Sequence, residues 1–396
     1  MTAEGPDREG RRPRLSDLAG ASTPNRDHYV DFLRALSIVV VVFGHWLGAV
    51  VVWDDDGIRG ENALDLVPGL WVITWLVQVM PIFFFVGGFS NFVAYQGLRR
   101  LGDDGWTFLR GRASRLLRPT LVFLLFWGVI GPLAVRLSGL PVNAGSKAIP
   151  VLIGPLWFLG IYLALVALSP LMISLHIRFA LPTLLVLAAL PVTLDLLRFA
   201  AGVEWVGNAN LLFVWLLIHQ LGFFYADGTF DRARANLFRF MAVGGFVTMA
   251  GLTRLPAYPS SMVGCCGDRI SNMAPPTLAI LALGVGQIGI AMLLRPAITQ
   301  WLSRSRPWKA VIGVNASIMT LYLWHLSALV ITVAALFPLG FPQPPVGSGF
   351  WWLTRPLWIA AMAIPLAGLV SLFGRFERPD LDPAERYWNL TGFYAL

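Results

Sequence analysis

Residues 29–52 read YVDFLRALSIVVVVFGHWLGAVVV. Three ionisable side chains, Asp31, Arg34 and His45, interrupt an otherwise apolar run. A helix needs about 20 such residues to cross a ~30 Å hydrocarbon layer, so this stretch reads as a membrane span. Nine further segments read the same way. The ten are expected at about 29–52, 70–96, 117–137, 150–175, 179–197, 209–226, 237–253, 276–295, 310–336 and 351–373. Continuous runs of this length do not match the ~10-residue alternation of a membrane barrel, which leaves helices. The expected fold is an all-α membrane protein, a bundle of about ten transmembrane helices.

Composition agrees. Of 396 residues, 56% are hydrophobic and 13% charged, and the mean hydropathy is +0.66. A soluble chain carries about a quarter charged residues, so a cytosolic enzyme, a disordered regulator and a nucleic-acid binder are excluded. The net charge of +8 then has a topological source. With the N-terminus inside, 23 of the 30 basic residues fall in the arm, the inner loops and the C-terminal tail. One missed helix would invert every later loop, so this asymmetry supports ten spans with both termini cytoplasmic. The domains are then a disordered basic cytoplasmic arm at 1–26, a membrane domain at 27–373 and a cytoplasmic tail at 374–396. The expected location is the cell (inner or plasma) membrane. The adjacent Cys265 and Cys266 are not expected to bridge, because vicinal cysteines pair only under strain.

Ionisable groups inside a bilayer are costly and mark functional sites. Arg34 and His45 lie eleven positions apart, three helical turns and ~20°, so they share one face about 16 Å apart. Asp31 stands three residues before Arg34, where an ion pair can hold the guanidinium. His45 is then expected near mid-membrane. In FLRGRASRLLRPTL, Arg112, Arg115 and Arg118 recur every third residue before a Pro-led span. The N-terminus of that helix adds its dipole, so the cluster suits phosphate; the alternative is plain positive-inside topology. His325 is placed about fifteen residues into the ninth span, roughly 22 Å deep. It either faces a cavity with His45 or packs as a satisfied histidine. His219 is read as packing, His28 and His176 as edge residues, and Trp157 as part of the aromatic belt. No HExxH or paired CxxC occurs, so no metal site is expected.

Five of these pieces in this order resemble the acyltransferase-3 family of integral membrane acyltransferases. They are VDFLRALSIVVVVFGH, PIFFFVGGF, the Arg-x-x-Arg before the Pro-led span, GPLWFLGIY and SIMTLYLWH. The resemblance covers about residues 27 to 373. It implies transfer of an acyl group, usually acetyl, from a coenzyme A thioester to a hydroxyl of a carbohydrate or lipid-linked acceptor. It further implies a catalytic His45, with Arg34, Arg112 and Arg115 essential. Gly87 departs from the pattern, where the family commonly has Ser.

The residues and the resemblance together give a membrane O-acyltransferase of cell-envelope carbohydrate or glycolipid. Its catalytic candidates are His45, Arg34, Asp31 and His325, and Arg112, Arg115 and Arg118 would bind acyl-CoA. Acyl-CoA is the donor substrate, no cofactor is held permanently, and the other partners are the acceptor and the lipid bilayer. A neutral His45 would act as general base on the acceptor hydroxyl or take the acyl group itself. Acids at Asp54, Asp55, Asp56, Glu61 and Asp65 make the first outer loop a candidate for gripping the acceptor. The rival reading is a secondary transporter of a small polar or anionic solute, which would show broken helices at matching positions in two halves.

Overall fold

The structure is a computed structural model that describes residues 26–54, 57–103, 105–137, 143–265 and 270–377. Most of the expected arm, the tail beyond Glu377, and Asp55 and Asp56 lie outside the described residues. The principal helices are α1 (His28–Gly48), α2 (Met80–Arg100), α3 (Gly105–Leu137), α4 (Asn143–Ile153), α5 (Leu156–Phe199) and α6 (Asn210–Ala226). They continue with α7 (Ala235–Leu252), α8 (Leu278–Leu302), α9 (Ser305–Asn315), α10 (Ile318–Leu336) and α11 (Gly349–Phe373). Below, the face where α1 begins is called proximal and the opposite face distal.

Among the described residues, nine segments are long and apolar enough to cross a membrane. One of them, Ala148–Phe199, has 52 residues, about 78 Å of helix, far more than one crossing needs. Phe179, with φ −141° and ψ 51°, breaks it. Before the break α5 runs beside α2, with the Phe84 and Phe158 rings 5.1 Å apart. After it α5 runs antiparallel to α6. His176 Nε2 lies 3.0 Å from Asp227 Oδ2 at one end, and Asn210 Nδ2 donates to Asp195 Oδ1 at 2.9 Å at the other. The segment therefore crosses twice, and the fourth and fifth expected spans are both present.

Two expected boundaries are corrected. The first span ends at Gly48 rather than 52, and Ala49–Asp54 (β1) pairs antiparallel with Gly57–Asn62 (β2). Valines serve both elements, helical at Val39–Val42 and extended at Val50–Val52. Gly48 and an available partner edge decide between them, because β preference depends on what the strand packs against. The ninth span, expected at 310–336, is two helices separated at Ala316–Ser317. His325 thus lies seven residues into α10, about 10 Å rather than 22 Å from its start.

Local chemistry positions the ends. Asp27 caps α1, its Oδ1 accepting from Tyr29 N at 2.9 Å and Val30 N at 3.1 Å. Glu377 caps α10, accepting from Met319 N at 2.9 Å, Thr320 N at 3.0 Å and Thr320 Oγ1 at 2.7 Å. The first residues of the expected tail, Gly374–Glu377, therefore pack onto the bundle. At the distal face, the buried Asp195 accepts from Asn210, from Tyr258 Oη at 3.1 Å and from Leu278 N at 2.8 Å. It ties the loop before α8 to α5 and α6. In that loop Cys265 is disulfide-bonded, against the expectation from sequence; Cys266, the only other cysteine in the chain, lies outside the described residues. Asn272 folds the loop on itself, donating to Pro259 O at 2.6 Å and Ser261 O at 2.8 Å. Helices α2 and α6 cross at Gly88 and Gly222, where a Cβ would fall 2.0 Å from His219 O and 2.2 Å from Phe85 O. Only glycine allows that approach.

Candidate active site

Two polar groups stand on one face of α1. The distal one is a histidine pair. His45 Nδ1 lies 2.9 Å from His325 Nε2, and Trp46 Nε1 donates to His325 O at 2.9 Å. His325 Nδ1 is 2.7 Å from Tyr322 O and 3.2 Å from Leu321 O. Carbonyls only accept, so His325 carries its proton on Nδ1 and its Nε2 is the acceptor. His45 must then donate through Nδ1, which leaves its Nε2 with a free lone pair. His325 is fully buried, whereas His45 is accessible. His45 is three residues short of the distal end of α1, about 25 Å from its start, so it lies past mid-membrane.

The proximal group is a buried guanidinium cluster. Asp31 binds Arg26 Nε at 2.5 Å and Arg34 Nη1 at 3.1 Å. Arg34 Nη2 donates to Ser90 Oγ and Arg112 Nη2 to Ser90 O, both at 2.8 Å. One serine of α2 thus gathers arginines from α1 and α3. Asn315 Nδ2 reaches Asp31 O at 2.9 Å and brings the end of α9 to the same layer. Arg115 lies within electrostatic reach of Tyr162 and Glu377. Arg118 is exposed and stands apart, since residues 112 and 118 differ by about 240° around the helix.

Between the two groups lies a cavity walled by Ile38, Phe83, Val86, Leu116, Phe158, Leu159, Ile318 and Met319, with Gly87 opening one wall. Arg34, Tyr162 and Tyr322 also line it. Tyr322 is one turn from His325, and its hydroxyl donates to Pro155 O. The cavity therefore runs from Arg34 of the arginine layer along apolar walls to Tyr322, three residues before His325.

The other histidines are held elsewhere. His219 is buried, with Asn91 Nδ2 3.1 Å from its Nε2. His176 bridges Gln220 and Asp227. Burial alone would raise the Asp227 pKa, but bonds from Thr229 and His176 hold it below the usual carboxylate value. His28 stacks on Trp308 at 3.8 Å, and the half-buried Trp157 meets Phe158 edge-on. Among the described residues no three His, Cys, Asp or Glu side chains gather as a metal site. Of the loop acids, Glu61 is exposed on β2 and Asp65 lies in the short helix Ala63–Leu66.

Ser90, Tyr162 and Glu377 are part of this site and are missing from the sequence candidates. Ser90 and Tyr162 are polar residues in otherwise apolar runs, a weak signal in the sequence. Glu377 lies past the last span, where nothing local marks it.

No curated protein and no solved structure matches the chain. A family model described as an acyltransferase domain matches residues 27–374. That match takes in every helix named above, and with its crossings the chain is a multi-pass membrane enzyme. The chain belongs to the acyltransferase-3 family and is an acyltransferase.

Proposed function

We propose that this acyltransferase moves an acyl group, acetyl foremost, from cytoplasmic acyl-CoA to a hydroxyl of a cell-envelope carbohydrate or glycolipid. The observation that carries this reading is the histidine pair set about 16 Å along α1 from a buried arginine pair, with an apolar cavity between them. A pantetheine arm is thin and has about twelve bonds from sulfur to phosphate, roughly 14 Å when extended. With the thioester at His45, its phosphates reach the arginine layer. The proximal face is taken as cytoplasmic from the excess of basic residues in its loops.

The chemistry follows from the tautomers. His45 Nε2 takes the proton of the acceptor hydroxyl, and the oxygen attacks the thioester carbonyl. The tetrahedral intermediate collapses, the C–S bond breaks, and the thiolate leaves with the proton held on His45. His325 Nε2 accepts from His45 Nδ1–H throughout, which fixes the ring and stabilises the imidazolium, the role a carboxylate has in other triads. His325→Ala is expected to lower kcat at least about ten-fold with little change in donor KM, because it acts through His45. His325→Gln offers a carbonyl in the same place and should recover part of the loss. If both variants turn over like wild type, His325 has no positioning role.

Arg112 and Arg115 are the donor's anion site in this reading. Calorimetry with coenzyme A is expected to show weaker binding for Arg112→Ala and partial recovery for Arg112→Lys, since a lysine lacks the planar fork. Arg118→Ala should bind as wild type. Unchanged affinity in an Arg112→Ala, Arg115→Ala double variant would leave these arginines as topology signals. The accessible His45 near the distal face supports an acceptor entering from outside. Proteoliposomes with acyl-CoA and acceptor on opposite sides test this, and acylation only when both share the cytoplasmic side refutes it. Thioester cleavage by the purified protein separates the enzyme from a transporter.

A further inference from the structure

The distal end of α11 carries a cation that the reaction above does not use. Arg355 stands between two tryptophans of its own helix, its guanidinium carbon 4.3 Å from the Trp351 ring centre and 5.7 Å from that of Trp358. The buried residues of α11 are Trp351, Trp358, Met362, Leu366 and Leu369. At about 100° per residue they fall within an arc of about 80°, and Arg355 falls inside that arc. A snorkelling arginine would reach lipid headgroups from the outer side of the helix. This one is on the face turned to the bundle, yet it is only half-buried. The packing around Trp351 and Trp358 therefore leaves an opening at Arg355.

The opening offers donors and no matching charge. Arg355 Nε donates to Trp351 O at 3.2 Å. Its remaining N–H donors have no acceptor among the described residues, and no described acid lies within electrostatic reach. Trp358 is 3% exposed, and its Nε1 is buried with no acceptor among the described residues. A guanidinium is always charged, and a cation in a span without an anion is costly. Its planar fork fits a carboxylate or a phosphate through two parallel bonds. The position suits the acceptor rather than the donor. Trp358 packs on Phe337, twelve residues or about 18 Å of helix past His325 on the distal side. Trp351 shares a packed cluster with Val50 and Ala63, just beyond the distal end of α1. An anion at Arg355 therefore belongs to a part of the acceptor remote from the hydroxyl at His45.

We propose that Arg355, with Trp351 and Trp358 beside it, is an outer-face anion site that takes a carboxylate or phosphate of the acceptor, so that the enzyme selects acidic acceptors. The inference rests on the reading that the acceptor enters from outside, and adds the acceptor's charge to it.

Calorimetry on the full-length protein in an uncharged polyoxyethylene detergent tests it. Coenzyme A in excess keeps anionic probes away from the arginine layer. The probes are glucuronate and glucose 1-phosphate, with glucose as the uncharged counterpart. Wild type is expected to bind both acidic probes about ten-fold or more tightly than glucose, as for hydrogen bonds to a charged group. Arg355→Gln should lose that preference, and Arg355→Lys should keep part of it, having the charge without the fork. The lysine variant carries the test if the glutamine variant does not fold. No preference for the acidic probes in wild type, or the wild-type preference in both variants, overturns the proposal. A repeat in phosphatidylglycerol nanodiscs separates the two sources of anion. Unchanged binding supports an acceptor site, whereas its loss makes Arg355 a lipid-headgroup site and overturns the proposal. Acylation only when both substrates share the cytoplasmic side would remove the outer-entry reading, and with it the acceptor role of Arg355. That failure is distinguishable, because the binding results bear on Arg355 alone.

Discussion

His45→Ala is expected to lower acyl transfer by ~10²–10⁴-fold, the usual cost of losing a general base. The fold should survive the change. His45 is accessible, its side chain bonds His325, and alanine is the best helix former for a position inside α1. Coenzyme A affinity should stay near wild type, because the proposed phosphate site in the arginine layer lies about 16 Å from His45. Turnover, coenzyme A calorimetry and a melting curve in detergent check the three parts. A variant keeping more than about a tenth of wild-type turnover removes His45 from the chemistry. Trapping an acyl-enzyme on His45 would replace base catalysis with nucleophilic catalysis.

Asp31→Ala is expected to be the most destabilising single change in the site. The carboxylate is 2% exposed and bonds both Arg26 and Arg34. Removing one member of a buried ion pair costs about 3–5 kcal/mol, because the remaining charge stays in a low-dielectric setting. Here one carboxylate serves two guanidiniums, and typical domain stability is only about 5–15 kcal/mol. Poor accumulation or a sharply lower melting temperature is expected, with any folded fraction losing coenzyme A affinity as Arg34 shifts. A melting temperature within a degree or two of wild type would show that the arginine layer does not depend on Asp31.

The two predictions draw on different kinds of information. The importance of His45 could be argued from one helix, since the Arg34–His45 spacing is a property of a single 3.6-residue period. Asp31 was legible for the same reason, one turn from Arg34. Its second partner, Arg26, lies before the helix and is brought in by the way the chain enters α1. Arg112 and Arg118 looked equivalent as members of one three-residue pattern. The pattern does not keep them on one face, and Ser90 of another helix selects Arg112.

By itself the sequence determined the class of fold, the ten crossings and the face of α1 that carries Arg34 and His45. Each is a matter of local hydrophobic length or of residues within one helix, where geometry is set by the backbone. Tertiary structure decided the rest. The break before α10 moved the start of that helix, and His325 became a partner for His45 only through packing of α1 against α10. Ser90, Tyr162 and Glu377 come to the arginine layer and the cavity only through contacts between segments far apart in the chain. No local period encodes such contacts, because they depend on which faces the bundle buries together.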